Sequence, residues 1–117
     1  MALYTCGHII PDSDSICSAI SLSYLLNKIG RPAIPARQGE LNPETQYILN
    51  RFGFESPVLK TSFAGDELFI TDYSDLELAP EELDKTTIVG IVDHHKLGGI
   101  TTSTPLECWI RPVGNST

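Results

Sequence analysis

Residues 7 to 15, GHIIPDSDS, place His8, Asp12 and Asp14 within seven positions. Two further groups of the same kind follow: Asp72 in ITDYSD, and the run Asp93, His94, His95 in IVDHHKLGG. Carboxylates and imidazoles are side chains that hold divalent cations and exchange protons near neutral pH. Carboxylates gathered within a few ångströms of one another repel, so they must take up protons or share a cation. A mixed imidazole and carboxylate set suits a first-row metal such as manganese, whereas magnesium and calcium prefer all-oxygen shells. One carboxylate can bridge two such ions about 3.5–4 Å apart, the spacing of two-metal phosphoryl chemistry.

Each group alone has a plainer explanation. Asp12 and Asp14 are good helix caps. Asp72 would pass as a turn residue beside Tyr73 and Ser74, and the histidine pair as a solvated turn before Lys96 and Gly98-Gly99. What joins them is position, because each group follows a predicted strand.

Residues 2–9 are apolar or β-favouring and predict the first strand. Ile16, Ala19, Ile20, Leu22, Leu25, Leu26 and Ile29 recur at helical spacing over 14–29, with Asp12 or Ser13 as cap and Gly30 and Pro32 as the stop. Residues 33–37 predict a second strand. Asn42 and Pro43 open a helix that runs through Tyr47, Ile48 and Phe52 to Gly53. ELFITDYSD predicts a third strand ending at Asp72, and Pro80 opens a short helix ending near Asp84. TTIVGIVDHH predicts a fourth strand ending at Asp93, apolar on both faces as a central parallel strand is. Residues 106–111 predict one more strand, and Asn115 or Ser116 reads as the cap of a following helix. The alternation implies an α/β fold, a mostly parallel sheet with flanking helices. In such a sheet the carboxyl ends of the strands share one edge, and ligands bind there.

The chain has 117 residues, of which 41% are hydrophobic and 20% charged, a composition that suits one globular domain spanning 1–117. Its net charge is −7, with only eight Lys and Arg. That balance argues against nucleic acid or an anionic membrane as partner, since no basic excess is available to neutralise phosphates. A phosphate ligand would then need bound metal for its positive charge. Arg37 falls at the same edge, either as a lone surface arginine or as an aid to phosphate binding. No apolar run is long enough to span a membrane, and no signal segment opens the chain. Cys6, Cys17 and Cys108 are odd in number and lack CxxC spacing, which predicts three reduced, mostly buried thiols in a cytoplasmic protein.

Read as motifs, GHIIPDSDSICSAI, ITDYSD, IVDHHKLGG and RPVGNST resemble, in order, segments of the DHH phosphoesterase superfamily, and within it the family II, manganese-dependent inorganic pyrophosphatases. The resemblance covers essentially the whole chain. It implies hydrolysis of pyrophosphate to two phosphates by a two-metal mechanism with two Mn²⁺ ions, Co²⁺ or Mg²⁺ being substitutes. It implies that His8 and Asp12 bind one metal, that Asp14 and His94 bind the second, and that Asp72 bridges them. It places Asp93 behind the histidines as their support and turns His95 toward the bound phosphate. It also implies a second domain, absent from this chain, that closes over the substrate with Lys and Arg, and a last aspartate ligand from a later strand. The chain therefore reads as a carboxy-terminally truncated portion, with Asn115 where many relatives carry cysteine. An exposed edge left by that truncation would favour self-association, as in a homodimer.

Two rival readings come with their own signatures. Another DHH phosphodiesterase, acting on short or cyclic nucleotides, would line its crevice with aromatic and basic residues. A non-catalytic metal-binding fragment would bind cations without turnover.

Overall fold

Strand β1 (Leu3–Cys6) alternates its side chains between two covered faces, which is why nearly all of it is buried. Leu3 and Thr5 face the first helix, and the Thr5 hydroxyl donates to the Ala19 carbonyl at 2.7 Å. Tyr4 and Cys6 face the opposite side. The computed structural model, which describes residues 1–117, ends this strand at Cys6 rather than at residue 9. The chain leaves the sheet at Gly7, where a Cβ would lie 2.5 Å from Cβ of Ser15.

Helix α1 (Ser13–Lys28) starts where Asp12 accepts a hydrogen bond from the Ser15 amide at 2.9 Å. Ile16, Ala19, Ser23 and Leu26 form its buried stripe, at the 3-4-3 spacing of one helix face. The stripe is narrower than the apolar pattern suggested, since Leu25 and Ile29 are exposed. Strand β2 (Ile34–Arg37) follows, and then helix α2 (Pro43–Phe52), capped by Asn42 and closed by Gly53 in the left-handed conformation. Strand β3 (Val58–Leu59) has two residues and was not foreseen. Strand β4 (Glu67–Thr71) leads into Asp72. The helix predicted from Pro80 does not form. Two 3₁₀ turns, Leu76–Leu78 and Leu83–Lys85, flank that proline. The Glu81 amide is drawn instead to the Thr61 carbonyl at 3.0 Å, and Glu82 takes φ 56°, which no helix tolerates. Strands β5 (Thr87–Asp93) and β6 (Glu107–Ile110) complete the chain.

All six strands are parallel, in the order β3-β2-β1-β4-β5-β6. The chain works outward from β1 to β3, returns to place β4 beside β1, and works outward again. The order reverses between β1 and β4, and a crevice opens at such a switch point, outside the carboxyl ends of the strands. Cys6, Phe63, Leu68, Ile70, Tyr73, Ile88 and Ile91 fill the core on one face, packed against Leu78, Ala79 and Leu83. Leu3, Leu26, Ala33 and Phe69 fill the other, under α1. No helix is long and apolar enough to cross a membrane.

Candidate metal centre

Three strand ends deliver the chemistry to the switch point. The loop after β1 carries His8 and Asp12, and the first turn of α1 adds Asp14 and Ser15. That end of the helix has free amides and a partial positive charge, which favours carboxylates. Asp72 follows β4 at φ 66°, a conformation uncommon outside glycine. Its amide donates to the Val92 carbonyl at 2.8 Å, so the ladder continues while the side chain turns into the crevice. Asp93 closes β5, and His94 and His95 come next.

Asp72 is the hub. Its side chain is 2% exposed, and its two oxygens serve different partners. Oδ2 lies 3.2 Å from His8 Nε2 and accepts from the Ser15 hydroxyl at 3.0 Å. Oδ1 lies 2.9 Å from His94 Nε2. His8 Nε2 is also 3.7 Å from Asp12 Oδ1, and His94 Nε2 is 3.3 Å from Asp14 Oδ2. Two clusters thus share one carboxylate: His8, Asp12 and Asp72 on the β1 side, and Asp14, Asp72 and His94 on the β5 side. Asp12 is a helix cap and a member of this cluster at once. Candidate ligand atoms of Asp72, Asp93, His94 and His95 also lie within 4.8 Å of one another.

Asp93 is buried, and its Oδ1 collects the amides of His94 and His95 at 2.8 and 3.2 Å and the His95 Nδ1 at 2.6 Å. His95 is held on one side by that bond, and its side chain is 51% exposed on the crevice. The other Asp93 oxygen, Oδ2, is buried without a hydrogen-bond partner.

Electrostatics follow from this packing. Burial pushes the His8 pKa down, but the hydrogen bond to Asp72, the charges of Asp72 and Asp12 and the Ile10 backbone outweigh it, leaving the pKa raised. For Asp14, burial pushes up, and hydrogen bonds win in the other direction. The Thr117 hydroxyl donates to it at 2.6 Å, and the Ser116 and Thr117 amides at 2.7 and 2.8 Å. Its carboxyl is held below the ordinary range. Ser116, one of the two residues read from sequence as a helix cap, and its neighbour Thr117 therefore bring donors to Asp14.

The donor set fits divalent cations. Four aspartates and three histidines converge, no Lys or Arg forms an ion pair with any of them, and one buried carboxylate oxygen has no partner. Arg37 does not reach this group. Its guanidinium donates to the Ser56 hydroxyl and to the carbonyls of Pro57 and Gly39, at 2.8 to 3.1 Å, and so ties the segment after α2 to β2. Sequence reasoning missed Ser15, a serine flanked by ligands in a first helical turn. It also missed the docking of Gly98, whose amide donates to the Ser74 hydroxyl at 2.9 Å.

Known proteins share this arrangement of sequence and fold. Residues 2–117 match the DHH family, N-terminal domain. The chain is 41% identical over 124 residues to a candidate manganese-dependent inorganic pyrophosphatase of Archaeoglobus fulgidus, covering 96% of this chain and 38% of that protein. It is 40% identical over 113 residues to the manganese-dependent inorganic pyrophosphatase of Methanocaldococcus jannaschii, covering 97% of this chain and 35% of that one. A crystal structure of a candidate family II inorganic pyrophosphatase from Methanococcus jannaschii superposes with a TM-score of 0.90 at 39% identity, covering 97% of this chain and 36% of the other. The chain thus spans little more than a third of the length of these relatives.

Proposed function

Because the chain belongs to the DHH family, we propose that it is the metal-binding amino-terminal domain of a manganese-dependent inorganic pyrophosphatase, which hydrolyses pyrophosphate to two phosphates. The observation that carries this reading is Asp72, one buried carboxylate facing His8 with one oxygen and His94 with the other. His8, Asp12 and Asp72 would hold one cation, and Asp14, Asp72 and His94 a second. Bound cations would supply Lewis acidity and the positive charge that a chain of net charge −7 lacks. The imidazole and carboxylate mix favours Mn²⁺, with Co²⁺ a better substitute than Mg²⁺.

The remaining work falls to the chain's own groups. Ser15 fixes the Asp72 carboxylate, and Asp93 fixes His95 through Nδ1. Nε2 of His95 is then the ring atom left to meet a phosphate oxygen at the open side of the crevice. Three unpaired thiols, of which only Cys6 is buried rather than most of them as expected, support a reducing, cytoplasmic setting. The outer strand β6, with Trp109 exposed, is the edge at which a homodimer would form. A net charge of −7 with eight Lys and Arg favours a small polyanion held through metal over nucleic acid as substrate.

The test is pyrophosphate hydrolysis by the longer protein with Mn²⁺, beside its Asp72→Asn variant. Phosphate release lost in the variant is expected. Cleavage of dinucleotides with pyrophosphate left intact would replace this reading by the phosphodiesterase one.

A further inference from the structure

We infer that Gln38 is a positioning residue for the cation site of His8, Asp12 and Asp72, an inference that rests on the metal-centre reading above. Gln38 follows β2 and is 8% exposed, an uncommon place for an uncharged amide unless it is hydrogen-bonded. Its Nε2 donates to the Gly7 carbonyl at 2.7 Å and lies 3.5 Å from the Leu78 carbonyl. These two carbonyls belong to the two loops that bring the ligands together. Gly7 directly precedes His8, and Leu78 ends the 3₁₀ turn that follows Asp72.

The Gly7 carbonyl shares a rigid peptide plane with the His8 amide. Glycine leaves the dihedrals before that plane unusually free. A donor fixed on the neighbouring strand removes that freedom and sets the direction from which the His8 side chain departs. The adjoining turn supports the same loop from below, since a Cβ on Gly39 would lie 2.8 Å from the Ile9 carbonyl. The loop from Gly7 to Pro11 is thus held between Ser15 of α1 on one side and the Gln38–Gly39 turn on the other. The short 2.7 Å bond is to the loop of His8, which belongs to one cluster only, and no contact of Gln38 reaches Asp14 or His94, so its effect falls chiefly on that cluster. Partners that orient metal ligands typically contribute about 10–100-fold in affinity.

The test is Mn²⁺ titration of the full chain, counted by the electron paramagnetic resonance of free Mn²⁺. Gln38→Met keeps the length and bulk of the side chain and removes the donor. In an Asp14→Asn background the intact cluster is that of His8, and Gln38→Met should weaken it about 10–100-fold. In an Asp12→Asn background the remaining cluster is that of His94, and the same change should leave it within about threefold, the scatter expected for an uncoupled site. A glutamine that only supported the fold would weaken both alike, and that result overturns the inference, as does no change in either. Unaltered chain that binds no Mn²⁺ would instead overturn the metal centre itself. Should Gln38→Met fail to fold, the unaltered protein answers by NMR. The Gln38 side-chain amide should be protected from solvent exchange and show scalar coupling to the Gly7 carbonyl carbon, and an amide exchanging as freely as in a denatured chain would refute the contact.

Discussion

Replacing Gly98 by alanine should loosen the loop that carries the histidine pair. A Cβ at this position would overlap the Ser74 carbonyl and stand 2.6 Å from Asp75 Cα. Those are backbone atoms just past Asp72, and no rotamer change moves them aside. The loop must therefore lift, and lifting breaks the 2.9 Å bond from the Gly98 amide to Ser74 Oγ and the 3.4 Å bond from that hydroxyl to the Lys96 carbonyl. Two neutral hydrogen bonds at about 1 kcal/mol each, with the strain of an overpacked contact, amount to a loss of about 2–4 kcal/mol in metal-free stability. His94 and His95 would shift with the loop, so Mn²⁺ affinity should fall about 10–100-fold. Gly99→Ala is the control, because its Cβ would meet Leu76 Cδ1 at 3.7 Å, an ordinary contact. That change should stay within about 0.5 kcal/mol. Urea unfolding and Mn²⁺ titration of the two variants decide the matter. Gly98→Ala indistinguishable from Gly99→Ala in both would refute the docking of this loop on the Ser74–Asp75 backbone.

Mn²⁺ affinity should rise with pH through and above the ordinary imidazole range. His8 holds its proton more tightly than a free imidazole, so the proton competes with the cation until the raised pKa is passed. Calorimetry in buffers of different ionisation enthalpy should show proton release on binding that fades at higher pH, and release that is constant or grows with pH would contradict the His8 assignment. Thiol titration should find Cys108 fast, Cys17 slower and Cys6 silent until unfolding, because burial pushes the Cys6 thiol up to about 12. Fast labelling of Cys6 in the native protein would contradict the packing of β1. The 117-residue chain alone should bind Mn²⁺ yet hydrolyse pyrophosphate at least about 10²-fold more slowly than its threefold longer relatives, since no Lys or Arg pairs at its site and preorganised donors are large contributors to rate. Turnover within tenfold of a relative would show that this portion suffices for catalysis.

The ends of β4 and β5 were the legible part of the sequence. Continuous apolar runs stopping at Asp72 and Asp93 marked buried parallel strands, and parallel strands put their ends on one edge whatever their order. The helix beginning at Asn42-Pro43 was equally open to reading, because capping is a local signal. Strand β3 was hidden because Val58 and Leu59 are too few to show a period. The turns around Pro80 were mistaken for a helix because the contact of Glu81 with Thr61 is tertiary, and propensity is blind to it. The same blindness covers the site's supports. Ser15 meets Asp72, Gln38 meets Gly7 and Thr117 meets Asp14 only after the sheet has formed. Asp72 was singled out by residue type and position, while its left-handed backbone, which turns the carboxylate between two histidines, had no sequence signal.

Anomalous diffraction at the manganese edge, from crystals of the chain grown with Mn²⁺, tests the central claim most directly. The account predicts two peaks, one among His8, Asp12 and Asp72 and one among Asp14, Asp72 and His94, both touching the Asp72 carboxylate and both lost in Asp72→Asn. No peak in the crevice, or peaks that leave Asp72 untouched, would contradict it.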